Sequence, residues 1–266
     1  MKPFYSITGP DRPLVATAIH DGHTIRPELH PLLNLDDAQR LREEDPFTAR
    51  WVDVAELQIV VDTSRFEVDL NRPREKAIYR RPEDAWGLHV WTEELPDGPT
   101  QASLAKYDQF YDDLQQRLQR LVDEFGSFVI YDLHTYNHLR DGADGPAADP
   151  HQNPEVNIGT VGMDRDRWAP VVDTFMYELA QHDFNGRHLD VRENVKFDGG
   201  NMMKWIHKTF PGVSCVMSIE FKKFFMNEWT GEAYPGQVEA IRAALAATVP
   251  GVLAAREAVS RDYHLV

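Results

Sequence analysis

The sequence is poor in cysteine and in basic residues, and each shortage excludes a class of protein. Its 266 residues contain one cysteine, Cys215, which excludes an internal disulfide and a CxxC metal site. A metal site would therefore use histidine and carboxylate ligands. The 28 Lys and Arg residues are outnumbered by 43 Asp and Glu residues, and the net charge of −15 disfavours a nucleic-acid partner.

Long hydrophobic runs are also missing from the sequence. No apolar stretch approaches the roughly 18 residues of a membrane span. The N-terminal residues MKPFYSITGPDRP contain prolines and lack the apolar core of an export signal. We therefore expect a cytoplasmic protein that has no membrane partner.

What is present is the composition of a globular protein. Hydrophobic residues make up 42% and charged residues 27%, which argues against a disordered or fibrous chain. No repeat and no Pro/Gly/Ser-rich linker divides the sequence. We expect residues 1–266 to form a single domain.

Strand patterns alternate with helix patterns along the chain. The predicted strands are Leu14–Ile19, Leu57–Asp62, Phe66–Leu70, Phe128–Leu133 and Val213–Ile219, each bounded by turn-forming or polar residues. Apolar stripes predict helices from Leu104 to Phe125, ended by Gly126, from Trp168 to Leu179, and from Val238 to Val249. This alternation predicts an α/β fold in which helices cover a mostly parallel or mixed sheet.

Two histidines come directly after buried-looking strands. His20 follows the first predicted strand and His134 follows the fourth, so the two imidazoles could converge at one edge of the sheet. A catalytic zinc commonly takes three protein ligands, and the stretch Arg42–Pro46 offers the missing carboxylate. Spacing alone does not choose among its three acids, which are Glu43, Glu44 and Asp45.

Glu220 comes directly after the last predicted strand. A carboxylate at the end of a hydrophobic strand is partly desolvated, which raises its pKa and suits it to accept a proton from a metal-activated water. We consider Glu220 the candidate general base. The alternative is an ordinary ion pair with Lys222 or Lys223.

The segment Asp62–Pro73 concentrates Arg65, Asn71 and Arg72. Guanidinium groups bind carboxylates with two parallel hydrogen bonds, and an adjacent carboxamide adds a donor. This composition is typical of a site for a substrate carboxylate. The alternative is a surface salt-bridge cluster, in which the arginines pair with the neighbouring acids Asp62, Glu67 and Asp69.

Taken together, these motifs resemble those of the N-formylglutamate amidohydrolase family. The resemblance covers most of the chain and follows the family's order. It is carried by IHDG (19–22), REEDPFT (42–48), SRFEVDLNRP (64–73), YDLHTYN (131–137), NIGT (157–160), KFDGG (196–200) and SIEFKKFFMNE (218–228).

The resemblance implies a layered α/β/α fold with a mixed central sheet, similar to zinc carboxypeptidases and the amidoacylases, and one catalytic metal, expected to be Zn²⁺. It implies these site residues: His20, His134 and Asp45 as metal ligands, with Glu44 as the alternate to Asp45; Glu220 as general base; and Arg65, Asn71 and Arg72 as substrate-binding residues. The chain departs from the amidoacylases at His23, which stands where they carry the metal-binding glutamate, so the carboxylate must come from elsewhere.

The expected activity is metal-assisted hydrolysis of a small N-acyl amide of an acidic amino acid, such as N-formylglutamate. One alternative is a carboxypeptidase-like hydrolase that releases a C-terminal or γ-linked amino acid, for which a roomier pocket lined by Trp86, Trp91 or Tyr136 would argue. Another is a carboxylate-binding module without catalysis. The sequence does not disclose the oligomeric state.

Overall fold

The computed structural model describes residues 3–263, and its centre is one mixed β-sheet. The strands are β1 (Tyr5–Thr8), β2 (Leu14–Ala18), β3 (Leu57–Val61), β4 (Phe128–Tyr136), β5 (Val156–Gly159), β6 (Val191–Glu193) and β7 (Ser214–Lys222). Their order across the sheet is β1-β3-β2-β4-β7-β5-β6. Strands β3, β2, β4 and β7 run parallel, whereas β1 and β5 pair antiparallel with β3 and β7. The carboxyl ends of the four parallel strands therefore lie at one edge of the sheet.

Helices cover both faces of this sheet. They are α1 (Asp37–Glu43), α2 (Asp97–Phe125), α3 (Arg165–Gln181), α4 (Asn201–Thr209) and α5 (Pro235–Tyr263). The core on one face contains the apolar stripes of α2 and α4, and the core on the other contains those of α3 and α5. The predicted α/β fold with helices on both faces of a mixed sheet is therefore confirmed.

The central strands contribute to both cores by alternation. In β4, Phe128 and Ile130 pack on the α2 side, whereas Val129, Tyr131 and Leu133 pack on the α3 side. All nine residues of β4 are buried. Polar side chains at the carboxyl end of this strand, such as His134, are therefore held rigidly against packed neighbours.

Two expectations from the sequence are wrong. Phe66–Leu70 is not a strand but a series of turns, in which the amides of Glu67 and Val68 donate to the carbonyl oxygen of Ser64. The apolar residues of the segment are buried as the pattern suggested, but Glu67 and Asp69 between them are buried as well. Alternation here does not separate a core face from a solvent face.

The second is the expectation that no apolar stretch approaches the length of a membrane span, which α5 contradicts. Residues Pro235–Arg261 contain a stretch that is, by length and composition alone, apolar enough to cross a membrane. Scattered polar residues, such as Arg242 and Thr248, interrupt this stretch and conceal its apolar character in the sequence. Core helices meet the same criterion, and the buried residues Ile241, Leu245 and Val252 of α5 belong to the core beside α3.

The single cysteine lies inside the molecule. Cys215 in β7 is fully buried, and its burial raises the pKa of the thiol above its ordinary value. A buried thiol with a raised pKa is chemically inert, because the thiolate is the reactive form.

Candidate active site

The predicted metal-binding histidines and the predicted general base meet at the carboxyl ends of the parallel strands. His134 in β4 and Glu220 in β7 are direct neighbours across the two strands, and His20 follows the end of β2 by two residues. A cleft of about 700 Å³ opens above this edge, and all three side chains line it. The expectation that two separate histidine motifs converge agrees with this geometry.

His20, Asp45 and His134 form a buried group that could hold a metal ion. Among the described residues, one ligand atom from each lies within 4.8 Å of the other two. The Asp45 Oδ2 atom is 3.0 Å from His134 Nδ1 and 3.4 Å from His20 Nδ1. The two imidazole rings are 5.1 Å apart, centroid to centroid. Both Nδ1 atoms are therefore on the side of the ring nearest Asp45.

The turn after α1 delivers Asp45 to the histidines. The Asp45 amide donates to the carbonyl oxygen of His20, at 2.9 Å, which attaches the turn to the end of β2. The buried Lys223 donates to the carbonyl oxygens of Arg42 and Glu44, at 2.6 and 2.8 Å. Three hydrogen bonds from two other segments thus fix the backbone around this carboxylate.

Glu44, the alternate to Asp45, is turned away from the two ring nitrogens. Its carboxylate is hydrogen bonded to His23 Nδ1 and to the Ser64 hydroxyl, and it does not line the cleft. His23, which replaces the glutamate of the amidoacylases, is occupied by this contact and by Arg40. The structure therefore brings Asp45 to His20 and His134, and keeps Glu44 and His23 together outside that group.

Each imidazole also faces a second carboxylate through its other nitrogen. His20 Nε2 is hydrogen bonded to Asp69 Oδ1 at 2.7 Å, and His134 Nε2 lies 3.1 Å from Asp132 Oδ2. Such partners orient a metal-binding histidine and fix its tautomer. From the sequence alone, Asp69 is considered only as a partner for arginine.

The electrostatics of the group favour a bound cation. Burial acts to raise the pKa of Asp45, but the hydrogen bond with His134 and the nearby His20 ring hold the pKa well below its ordinary value. Burial likewise acts to lower the pKa of His134, but Asp132 and Asp45 raise it well above 6.5. His20 Nδ1 is buried without a hydrogen-bond partner among the described residues. Two imidazole nitrogens and one carboxylate oxygen suit a divalent ion such as Zn²⁺.

Glu220 stands beside this group without an ion-pair partner from its own motif. Lys222 instead donates to the carbonyl oxygen of Asn153, and Lys223 is held by the turn after α1. Burial raises the pKa of Glu220 to about 7. The alternative interpretation, an ion pair with Lys222 or Lys223, is therefore not formed in the structure, and the carboxylate faces the cleft.

Arg65 lies at the cleft wall with its guanidinium group already engaged. It donates to Asp69 Oδ2 and to the Tyr79 hydroxyl, both at 3.0 Å, and its charge lies 4.8 Å from the ring centroid of Trp86. These contacts fix the orientation of the guanidinium. The alternative considered for this segment, pairing of Arg65 with a neighbouring acid, is thus present, in a partly buried setting at the cleft.

Asn71 and Arg72 lie beside the start of α4. Asn71 Oδ1 accepts a hydrogen bond from the Met202 amide at 3.0 Å, so that its Nδ2 is the group left to donate to a ligand. Arg72 is partly exposed, and its Nε is 3.8 Å from Asp69. Both residues line the cleft. The structure therefore places a free amide donor and a cation next to each other, as a carboxylate site needs.

The cleft also contains residues to which the sequence reasoning assigned no role. Arg140 lines it and binds both carboxylate oxygens of Glu43, at 2.7 and 2.9 Å.

Of the aromatic residues considered for a roomier pocket, Trp86 and Tyr136 line the cleft, whereas Trp91 lies in a separate surface pocket.

The chain is similar to known proteins in both sequence and fold. A family model described as N-formylglutamate amidohydrolase matches residues 12–224. A search of curated proteins found no match. The crystal structure of N-formylglutamate amidohydrolase from Ralstonia eutropha JMP134 is 17% identical, with a TM-score of 0.73 over 98% of this chain and 99% of that chain. The gene product Atu2144 from Agrobacterium tumefaciens is 17% identical, with a TM-score of 0.62 over 91% of each chain.

Proposed function

The chain belongs to the N-formylglutamate amidohydrolase family, and from this premise we propose that it hydrolyses the amide bond of a small N-acyl acidic amino acid, such as N-formylglutamate, with one Zn²⁺ ion. Membership of the family supports an amidohydrolase activity. The observation that carries the metal-dependent form of the proposal is the buried group of His20, Asp45 and His134 beside Glu220 at the floor of the cleft.

In this proposal His20, Asp45 and His134 hold the ion. A divalent ion bound there would polarise the scissile carbonyl and make a nearby water more acidic. Asp69 and Asp132 orient the two imidazoles from behind, and the anchored turn keeps Asp45 in place. The chain's own contribution is thus a rigid set of three ligand atoms.

Glu220 moves the proton. Its carboxylate accepts a proton from the water that attacks the carbonyl carbon, and then donates this proton to the leaving nitrogen as the C–N bond breaks. The products are the free carboxylic acid of the acyl group and the amine of the amino acid. The position of Glu220 next to His134 supports this role because one side chain can then reach both the water and the nitrogen.

Asn71 and Arg72 bind the substrate carboxylate. The Asn71 Nδ2 group and the Arg72 guanidinium group donate to it from the wall next to α4, and Arg65 contributes its charge from the same wall. Binding at this point fixes the scissile bond relative to Glu220, which converts binding energy into orientation.

Release of formate from N-formylglutamate tests the proposal. The zinc-loaded protein is expected to release formate, the chelator-treated protein to be inactive, and added Zn²⁺ to restore the rate. His20→Asn should lose both metal and activity, whereas His89→Asn, at an exposed position that does not line the cleft, should lose neither. Equal rates with and without metal would contradict the metal requirement, and no formate from the loaded protein would contradict the substrate.

A carboxypeptidase-like reaction is the second candidate. The cleft of about 700 Å³ has more space than a formyl group needs, and Trp86, Tyr136 and Phe197 give it aromatic walls. We propose to compare N-formylglutamate with N-acetylglutamate and a γ-glutamyl dipeptide under the same conditions. Faster cleavage of the dipeptide would favour the second candidate over the first.

A further inference from the structure

The cleft has the opposite charge balance to the rest of the molecule. The chain as a whole carries a net charge of −15. Of the side chains described around the cleft, six are cationic, namely Arg65, Arg72, Arg140, Lys196, Lys204 and Lys223, and four are acidic, namely Glu43, Asp45, Asp198 and Glu220. A surplus of cations in a concave site raises the local concentration of anionic ligands.

Most of these cations are already paired within the protein. Arg65 pairs with Asp69, Arg140 with Glu43, and Lys204 with Asp198, while Lys223 donates to two backbone carbonyl groups. Arg72 makes only long contacts, 3.8 Å to Asp69 and 3.5 Å to the Asp84 carbonyl oxygen, and its side chain is 40% exposed. Lys196 has no carboxylate partner among the residues that the structure describes. Two cationic groups thus remain available to a ligand, and the proposed function uses one of them, Arg72.

The backbone around Lys196 is fixed rather than free. The buried Asn157 in β5 accepts hydrogen bonds on its Oδ1 from the amides of Val195 and Lys196, at 3.0 and 2.7 Å. Its Nδ2 donates to the carbonyl oxygen of Phe197 at 2.8 Å. One carboxamide therefore clamps three successive residues and joins the NIGT segment to the KFDGG segment.

This clamp places Lys196 near the proposed base. Asn157 is the cross-strand neighbour of Glu220 in the pairing of β5 with β7. The loop that Asn157 holds continues to Gly200, whose neighbour Asn201 donates its amide to the Asn71 carbonyl oxygen. One end of the loop is therefore fastened beside Glu220, and the other end is fastened beside Asn71 and Arg72.

We propose that Lys196 binds the side-chain carboxylate of the substrate and so selects N-acyl amino acids with an acidic side chain. The inference rests on the proposed function, in which Asn71 and Arg72 hold the first carboxylate. A substrate with two carboxylates would pair the cation at each end of the loop, with its amide between them near Glu220. A substrate with one carboxylate would leave Lys196 without a partner.

Substrate discrimination tests this assignment. Lys196→Met should lower kcat/KM for N-formylglutamate by about tenfold or more, mainly through KM, because a charge-assisted hydrogen bond is lost. N-formylglutamine has nearly the same shape without the second charge, so its kcat/KM should change less than twofold. Lys204→Met is the matched control, since Lys204 lines the same cleft but pairs with Asp198, and it should leave the ratio of the two substrates unchanged.

Binding of the amino-acid product provides a readout that does not depend on turnover. By calorimetry, Lys196→Met should bind glutamate about tenfold more weakly than the unmodified protein and glutamine equally well. Equal losses for both substrates and both ligands, or the same loss in Lys204→Met, would overturn the role of Lys196. If the unmodified protein releases no formate but Lys196→Met loses glutamate binding selectively, the proposed reaction fails while the assignment of Lys196 stands.

Discussion

Glu220 is the side chain whose proposed role depends most on its charge. Glu220→Gln keeps the size and the neighbours of the side chain but removes the proton acceptor, so we expect the turnover number to fall by 10²-fold or more, as is typical for loss of general acid–base catalysis. Zinc content should stay unchanged because Glu220 is not one of the three ligands. Steady-state rates together with metal analysis check both expectations.

The matched control is Glu239→Gln, which makes the same change on the exposed side of α5. Its rate should equal that of the unmodified protein. A Glu220→Gln variant with a normal rate would remove Glu220 from the mechanism. A variant that loses zinc as well would instead identify the carboxylate as part of the metal site.

We expect Asp69 to affect zinc binding indirectly, through its neighbour His20. Its carboxylate accepts from His20 Nε2, so Asp69→Asn should weaken zinc binding by about 10- to 100-fold through loss of the charge that orients and polarises the imidazole. Competition with a zinc-binding dye measures this change. Asp84→Asn, outside this group, should bind zinc normally, and an unchanged affinity in Asp69→Asn would mean that the carboxylate serves only Arg65.

At the scale of secondary-structure elements, the start of α4 depends on a close approach of backbone to side chain. A Cβ atom at Gly200 would lie 2.1 Å from the carboxamide of Asn71, although the backbone there needs no special conformation. Gly200→Ala should therefore displace Asn71 and raise KM for N-formylglutamate by about tenfold, with zinc content unchanged. Gly98→Ala in α2, where nothing lies within 4 Å of the added carbon, should leave KM unchanged.

Elements with a long, one-sided pattern were predictable from the sequence. The stripe from Leu104 to Phe125 gave α2, and Gly126, which adopts a left-handed conformation in the structure, ends it as predicted. The short β5 and β6, of four and three residues, carry too few positions for a period to appear. α1 was also missed, although Asp36 and Gln39 form a capping box that the sequence displays.

The segment Phe66–Leu70 shows why alternation alone can mislead. A strand prediction assumes that the polar residues between apolar ones face water. Here Glu67 is buried and paired with Arg26 and Lys106 from distant parts of the chain. The partners that make this burial possible are not adjacent in sequence, so the turn structure was not visible in the pattern.

The choice between Glu44 and Asp45 likewise needed the structure. Glu44 has an extended backbone, so adjacent side chains point to opposite sides, and either acid could have faced the histidines. The contacts that decide the outcome come from His23, Ser64 and Lys223. The residue types of the candidate site could therefore be predicted from strand ends and from the family resemblance, but the orientation of this pair could not.

At the scale of the whole molecule, stability should depend on His207, which joins α4 to the sheet. Its Nε2 accepts a hydrogen bond from the Val216 amide of β7 at 3.0 Å, at a position where β7 is not paired with β5. Only the neutral imidazole can accept this hydrogen bond. Burial lowers its pKa to about 4. The unfolded chain therefore binds a proton more readily between pH 6.5 and 4, and the free energy of unfolding should fall by ~3 kcal/mol across that range.

His207→Gln provides the comparison, because a glutamine can accept from the Val216 amide without titrating. Denaturant unfolding at several pH values should show a shallower loss of stability for the variant between pH 6.5 and 4, and parallel curves above pH 7. Carboxylates contribute their own acid sensitivity to both proteins, so the difference between the two curves reports on His207. Identical curves at every pH would show that protonation of this residue does not limit folding.

The inert Cys215 makes the chain suitable for site-directed labelling. Because the protein has no other thiol, a cysteine introduced at the cleft would be the one position that reacts with a maleimide dye under native conditions. Lys204→Cys is such a position, since it lines the cleft and is partly exposed. Fluorescence from a dye at this point would report ligand occupancy in real time, without removal of any natural cysteine.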